Sequence, residues 1–182
     1  MISEIDIQNR CVAYRIPFIY VIMVKEIRTY VYVGQTRDNN GMLGRLSGHL
    51  KPNGTLSQRL IDKGIDNYGE MKIFACDLSG TDLFSDLYSR RRTALEYLVQ
   101  IRLKVIGCEK TFPFEVISNV YDNDHIYDQQ IINYADKIVA ELSKNILKVS
   151  WEKGIYQNKK AGNCLFVIKE EYKNCIIQVL HS

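Results

Sequence analysis

The stretch Ile16-Pro17-Phe18-Ile19-Tyr20-Val21-Ile22-Met23-Val24, then Lys25-Glu26-Ile27-Arg28, then Thr29-Tyr30-Val31-Tyr32-Val33-Gly34, decides how this chain folds. Its two outer parts are rich in β-branched and aromatic residues, which fit a pleated, half-buried surface. The polar Lys25–Arg28 segment joins them, so the pair reads as a hairpin that ends at Gly34. The apolar run 16–24 is too short to span a bilayer and reads as a buried strand.

A helix follows directly. Asn39-Asn40-Gly41 is a turn signal, with Asn40 a candidate cap. Leu43, Leu46 and Leu50 recur at helical spacing and are expected to face the core. Arg45 and His49 lie four apart and therefore share another face. Gly44 and Gly48 each weaken a helix by roughly 1 kcal/mol against alanine. Bare backbone there would let a bulky group such as a sugar–phosphate chain approach.

Further along, a short helix over 55–63 stops at Gly64, and Met71–Asp77 reads as a third strand. A long helix is predicted over Leu83–Ile106, with Asp82 as its cap and Leu87, Ala94, Leu98, Ile101 and Val105 as its apolar stripe. Thr111–Ser118 is a candidate strand. Asp124–Val149 is predicted helical, with Ile131, Ala135, Ile138, Leu142 and Ile146 in register. The tail carries apolar stretches at 164–168 and 176–180. The fold class is α+β: a small antiparallel three-stranded sheet flanked by helices, with a C-terminal helical and mixed elaboration. The organisation is a lead over 1–15, a core over 16–106 and an elaboration over 107–182.

Composition narrows the function classes. The 182 residues carry 46% hydrophobic and 25% charged side chains, which argues against disorder. A net charge of +3 permits nucleic-acid binding without announcing it. The five cysteines form no Cys-x-x-Cys pair, which argues for reduced thiols in a cytoplasmic protein and against a zinc site. No secretory or membrane-spanning segment is expected.

Tyr20, Tyr32, Arg45, His49 and Glu96, in that order, carry a resemblance. The Phe18-Ile19-Tyr20 and Tyr32-Val33-Gly34-Gln35-Thr36 segments resemble the two half-motifs of the GIY-YIG nuclease family, with eleven residues between the tyrosines. Arg45 matches that family's arginine on the next helix. His49 stands where some restriction endonucleases of the family place a histidine. Glu96, in Ala94-Leu95-Glu96-Tyr97-Leu98, matches its later glutamate. The resemblance covers roughly residues 16–106. Phe18 replaces the usual glycine, and Cys108 stands where the family commonly has asparagine; Asn119 is the nearest downstream candidate for it. Gly154-Ile155-Tyr156 spells the first half-motif but has no partner segment.

The resemblance implies a divalent-metal-dependent DNA endonuclease, of restriction or phage type, acting on double-stranded DNA. Glu96 would hold Mg2+ or Mn2+, a hard cation that takes few protein carboxylates and keeps several waters. Tyr20 would be the general base, Arg45 the phosphate contact, His49 the partner of the base, and Tyr32 would orient phosphate or water. Arg90, Arg91 and Arg92 are candidate DNA contacts, and Lys153, Lys159 and Lys160 with Trp151 and Tyr156 form a second basic–aromatic mixture. Cutting both strands from one site per chain implies a homodimer or two successive nicks. Two other readings stay open: a nuclease of single strands or RNA, toxin-like, and a binding module of the same fold without catalysis. Taken one at a time, the residues also allow a cross-strand core pair for Tyr20 and Tyr32, and a surface ion pair between Arg92 and Glu96.

Overall fold

A computed structural model describes residues 10–66, 70–85, 89–107 and 114–142. The elements in order are strand β1 (Phe18–Lys25), strand β2 (Thr29–Thr36), helix α1 (Gly41–Leu50), helix α2 (Thr55–Ile61), strand β3 (Glu70–Asp77), helix α3 (Ser89–Gly107), strand β4 (Phe114–Val116) and helix α4 (Gln129–Leu142). Cys108, Leu87, Ile146, His181, the Gly154-Ile155-Tyr156 run, the basic–aromatic group around Trp151 and both apolar stretches of the tail lie outside the described residues.

The β1–β2 hairpin forms as its composition predicts, but it runs past Gly34 to Thr36. Gly34 is paired with Tyr20, and Ile22 with Tyr32. The expected antiparallel three-stranded sheet is corrected to a four-stranded mixed sheet in the order β3-β1-β2-β4. β3 pairs antiparallel with β1, and β4 pairs parallel with β2 through Thr29–Val31. The cause is the route of the chain. α3 carries it from one edge of the sheet to the other, and a helical crossover delivers the next strand parallel to the one before the helix. Strand β4 and helix α4 come from the stretch read as an elaboration, yet they join the main sheet and its core.

β1 is central and buried on both faces, so the molecule has three layers. On one face Ile19, Val21, Val31 and Val33 pack against α3 and α4. On the other, Phe18, Tyr20, Ile22, Val24 and Tyr32 pack against α1 and α2 through Met42, Leu56 and Leu60.

The helices also depart from expectation. The helix predicted from Leu83 is a 3-10 turn, Asp82–Phe84, followed by α3 from Ser89. Thr81, not Asp82, caps that turn, its hydroxyl accepting from the Leu83 N–H. The helix predicted from Asp124 likewise opens with a 3-10 turn, Asp124–Tyr127, before α4. In α4, Ile131, Ala135, Ile138 and Leu142 are buried as their spacing requires. In α1 the inward residues are Met42, Leu46 and His49, whereas Leu43 and Leu50 are exposed. Asn40 makes no side-chain cap; Asp38 accepts the Asn40 N–H instead, at 2.8 Å. Gly64, at φ 75°, ends the turn after α2, its N–H bonding the Ile61 carbonyl. No helix among the described residues is long and apolar enough to cross a membrane.

Candidate active site

The hairpin register builds the first half of the site. Residues 20, 22 and 24 share a face with 30, 32 and 34, so Tyr20 and Tyr32 are diagonal neighbours across the strands. Their rings stack loosely, with centroids 6.4 Å apart. The Tyr20 ring lies over the bare Cα of Gly34; a methyl group there would stand 2.6 Å from Tyr20 Cε2 and closer still to the phenol end. Gly34 therefore serves the site by yielding its place to the phenol.

Helix α1 supplies the second half. Its inward face brings His49, 2% exposed, against both tyrosines, with ring centroids 5.6 Å from Tyr20 and 5.0 Å from Tyr32. The Tyr20 hydroxyl and His49 Nε2 are 2.5 Å apart. Arg45, one turn earlier, donates from Nε to the same hydroxyl at 3.2 Å. The end of α1 is held by α2, where the Ser57 hydroxyl donates to the His49 carbonyl at 3.0 Å.

Proton positions follow by elimination. A guanidinium can only donate, so the Tyr20 oxygen accepts from Arg45. Burial, with Arg45 nearby, pushes His49 down to about 4, so the imidazole is neutral at pH 7. Burial also raises Tyr20 despite the opposing pull of Arg45, so it remains a phenol. The Tyr20 O–H must then donate to His49 Nε2, which is unprotonated. The result is a directed chain from Arg45 N–H to Tyr20 O–H to His49 N, whose links polarise one another. Arg45 loses affinity for its proton through burial, but the Tyr20 oxygen, Tyr32 and Glu96 outweigh that and raise it. Its Nη groups have no hydrogen-bond partner among the described residues.

Glu96 comes from α3, on the opposite face of the sheet, and lies close enough to interact electrostatically with Tyr20, Tyr32 and Arg45. Beyond β4, Ile117 donates to the Val31 carbonyl, and the next β2 donor, Val33 N–H, bonds the Ser118 hydroxyl rather than a strand carbonyl. The fourth strand thus stops short of the Gly34–Thr36 end of β2. Glu96 is 8% exposed and accepts no hydrogen bond from a described residue. Burial raises its carboxyl to about 8, with Arg45 opposing.

The remaining candidates separate. Arg92 is 6% exposed and is used inside the fold: its Nε donates to Gln35 Oε1 at 3.2 Å and its Nη1 to the Phe84 and Ser85 carbonyls at 3.0 and 2.9 Å. It forms no ion pair with Glu96. Its three bonds leave it poorly placed as a DNA contact, because reaching phosphate would strip a buried carbonyl, that of Phe84, and a part-buried one, that of Ser85. Arg90 is exposed and Arg91 half-buried. Asn119 is exposed, follows Ser118, and makes no hydrogen bond among the described residues. Of the glycines in α1, Gly44 makes room for the Asp38 carboxylate, while Gly48 faces open space.

Two residues outside the predicted site bear on it. Arg59 on α2 lies near enough to lower Tyr32 electrostatically, although burial dominates and raises that phenol. Gln35 anchors Arg92 across 57 residues of sequence. A hairpin closed around Glu26–Arg28 does predict the Tyr20–Gly34 pairing; nothing local marks Arg59 or tells that Gln35 holds Arg92.

No protein-family model matches this chain, and neither does a curated protein or a solved structure.

Proposed function

We propose that this chain is a divalent-metal-dependent DNA endonuclease with a GIY-YIG-like site, of restriction or phage type. The observation that carries the reading is the Arg45–Tyr20–His49 hydrogen-bonded chain standing beside a buried carboxylate, Glu96, without a hydrogen-bond partner among the described residues. A structural role accounts poorly for that set. Burying a carboxylate without a partner costs stability, and folding alone would favour an apolar residue.

The donor set fits one hard cation. Among the described residues no group of three or more His, Cys, Asp or Glu side chains is poised for a metal, which disfavours a zinc-type centre. A single carboxylate fits Mg2+ or Mn2+, which retains waters and completes its shell with phosphate. When bound, such an ion neutralises charge on the phosphoryl group and favours ionisation of the attacking water.

The protein's own residues supply the rest. The Arg45 Nη groups take a non-bridging phosphate oxygen. Tyr20 accepts a proton from the nucleophile as its own proton passes to His49 Nε2. Arg45 Nε–H stabilises the phenolate character that develops on Tyr20. Arg45 is one of the two causes of His49's weak basicity. Phosphate on Arg45 offsets its charge, so substrate makes His49 the better proton acceptor. Tyr32 packs on His49 and keeps its ring in place. If both strands are cut, two such sites or two successive nicks are required.

The test is cleavage of duplex DNA, single-stranded DNA and RNA with Mg2+, using Glu96→Gln and Tyr20→Phe as controls. Duplex cleavage lost in both variants is the expected result. Full activity in both sinks the assigned site. Cleavage confined to RNA or single strands replaces DNA as substrate, and binding without cleavage by the wild type makes the chain a binding module.

A further inference from the structure

Helix α2 runs beside the hairpin, and named contacts set its direction. Leu56 and Leu60 are fully buried in the cluster that holds Tyr20 and Tyr32. The Asp62 N–H bonds the Gln58 carbonyl, so helical spacing carries on past Ile61. Lys63 then pairs with Glu115 of β4, 2.5 Å away. Glu115 stands in register with Tyr30, and Tyr32 is the next residue of β2 on that face. Arg59 lies four before Lys63 and so shares its side of α2. One turn of helix and two residues of strand advance by similar lengths, about 5.4 and about 6.6 Å. A step back of one turn from Lys63 therefore reaches Tyr32, and the charge of Arg59 does act on that phenol.

Arg59 is half-buried and makes no hydrogen bond or ion pair among the described residues. The neighbouring cations are used: Lys63 is paired with Glu115, Arg45 Nε bonds Tyr20, and Arg92 is tied to two carbonyls. The two tyrosines, with ring centroids 6.4 Å apart, are thus flanked by two guanidiniums, Arg45 on Tyr20 and Arg59 beside Tyr32. A guanidinium can only donate and keeps its charge, so it suits an anion with several acceptor oxygens, and neither a cation nor an apolar ligand. Phosphates repeat along a nucleic-acid strand. With the scissile phosphate on Arg45, a guanidinium further along the tyrosine pair meets the next one. We propose that Arg59 binds the phosphate adjacent to the scissile one on the cleaved strand, and so sets which phosphodiester lies over Tyr20. This rests on the endonuclease reading and adds a second strand contact to it. Arg59 holds the strand and takes no part in the bond change.

The experiment has two arms, both on the full chain. In the first, duplex DNA carrying the mapped cut site is titrated without metal over a range of salt. Arg59→Ala is expected to weaken binding by about tenfold, the loss of one charged hydrogen-bonded contact. It is also expected to lower the slope of log affinity against log salt by about 0.9, whereas Arg59→Lys keeps the slope. An unchanged slope in Arg59→Ala overturns the proposal. In the second arm, single phosphates beside the cut are replaced by neutral methylphosphonates. Replacing one adjacent phosphate should weaken binding by the wild type and leave binding by Arg59→Ala as it was. Equal losses in the two proteins, or none in either, overturn the proposal, because an arginine that only supports the fold gives that result. Should the alanine variant fail to fold, Arg59→Gln takes its place in both arms. The two readings fail separately. Cleavage abolished by Glu96→Gln, with the salt slope of Arg59→Ala unchanged, removes Arg59 alone, whereas a wild type that neither binds nor cleaves duplex DNA removes both.

Discussion

Glu96→Gln makes the sharpest forecast, because it separates the ionisation of one buried group from everything else. In the unfolded chain Glu96 titrates near its ordinary value of 4.5, and in the folded protein at about 8. Between those values the native state holds a proton that the unfolded state has released. Stability is therefore fully present below pH 4.5 and is lost as the pH rises to about 8, by about 1.36 kcal/mol per pH unit and about 5 kcal/mol in all. His49 acts in the opposite direction. Its folded value of about 4 lies below the ordinary 6.5, so it withdraws stability as the pH falls through that interval. The two slopes cancel between pH 4.5 and 6.5, and only the Glu96 slope remains above, a decline of about 2 kcal/mol by pH 8. Glutamine keeps the shape and removes the charge. The variant should show no decline above pH 6.5, and its advantage over wild type should grow from pH 4.5 to 8 by several kcal/mol. The assay is urea unfolding of both proteins without metal at half-unit steps from pH 5 to 8.5. A wild-type-minus-variant difference that stays constant over that range would refute the reasoning, because it would mean that the carboxylate is solvated or paired.

Four further predictions concern other parts of the site. Gly34→Ala should destabilise the fold by about 1–3 kcal/mol through overpacking and abolish cleavage by displacing Tyr20; denaturation and a nicking assay together check this, and a stable, active variant would contradict the close approach of the phenol to Gly34. Gly48→Ala should stabilise α1 by about 0.5–1 kcal/mol, since the added methyl meets nothing, yet weaken duplex binding if the DNA backbone approaches there; binding titrations read the second effect. Arg90→Ala should lower the slope of log affinity against log salt by about 0.9, the effect of one lost phosphate contact. Arg92→Ala should leave that slope unchanged and cost about 2–3 kcal/mol of stability, because one buried and one part-buried carbonyl lose a charged donor.

The local elements were largely legible in the sequence. The hairpin followed from two β-branched and aromatic runs about a polar turn, and α4 from apolar residues at helical spacing. What failed were features that depend on distant partners. Leu43 and Leu50 have the same local pattern as buried leucines, but the docking angle of α1 exposes them and turns His49 inward. β4 is only three residues long and means little until the α3 crossover brings it beside β2. Arg92 read as a surface charge within Arg90-Arg91-Arg92, because nothing local distinguishes a buried guanidinium from two less buried neighbours.

The site divides along the same line. Sequence alone determined which groups are present and their order: two tyrosines on one hairpin, an arginine and a histidine four apart, and a glutamate on a later helix. It also determined that each sits on a regular element, because propensity and spacing act over a few residues. Only the tertiary structure decided that Tyr20 bonds His49 and Arg45, that Gly34 makes room for it, and that Glu96 is buried with no hydrogen bond to a described residue. Those facts come from long-range packing and desolvation. They depend on which surfaces meet, and no short stretch of the chain encodes that.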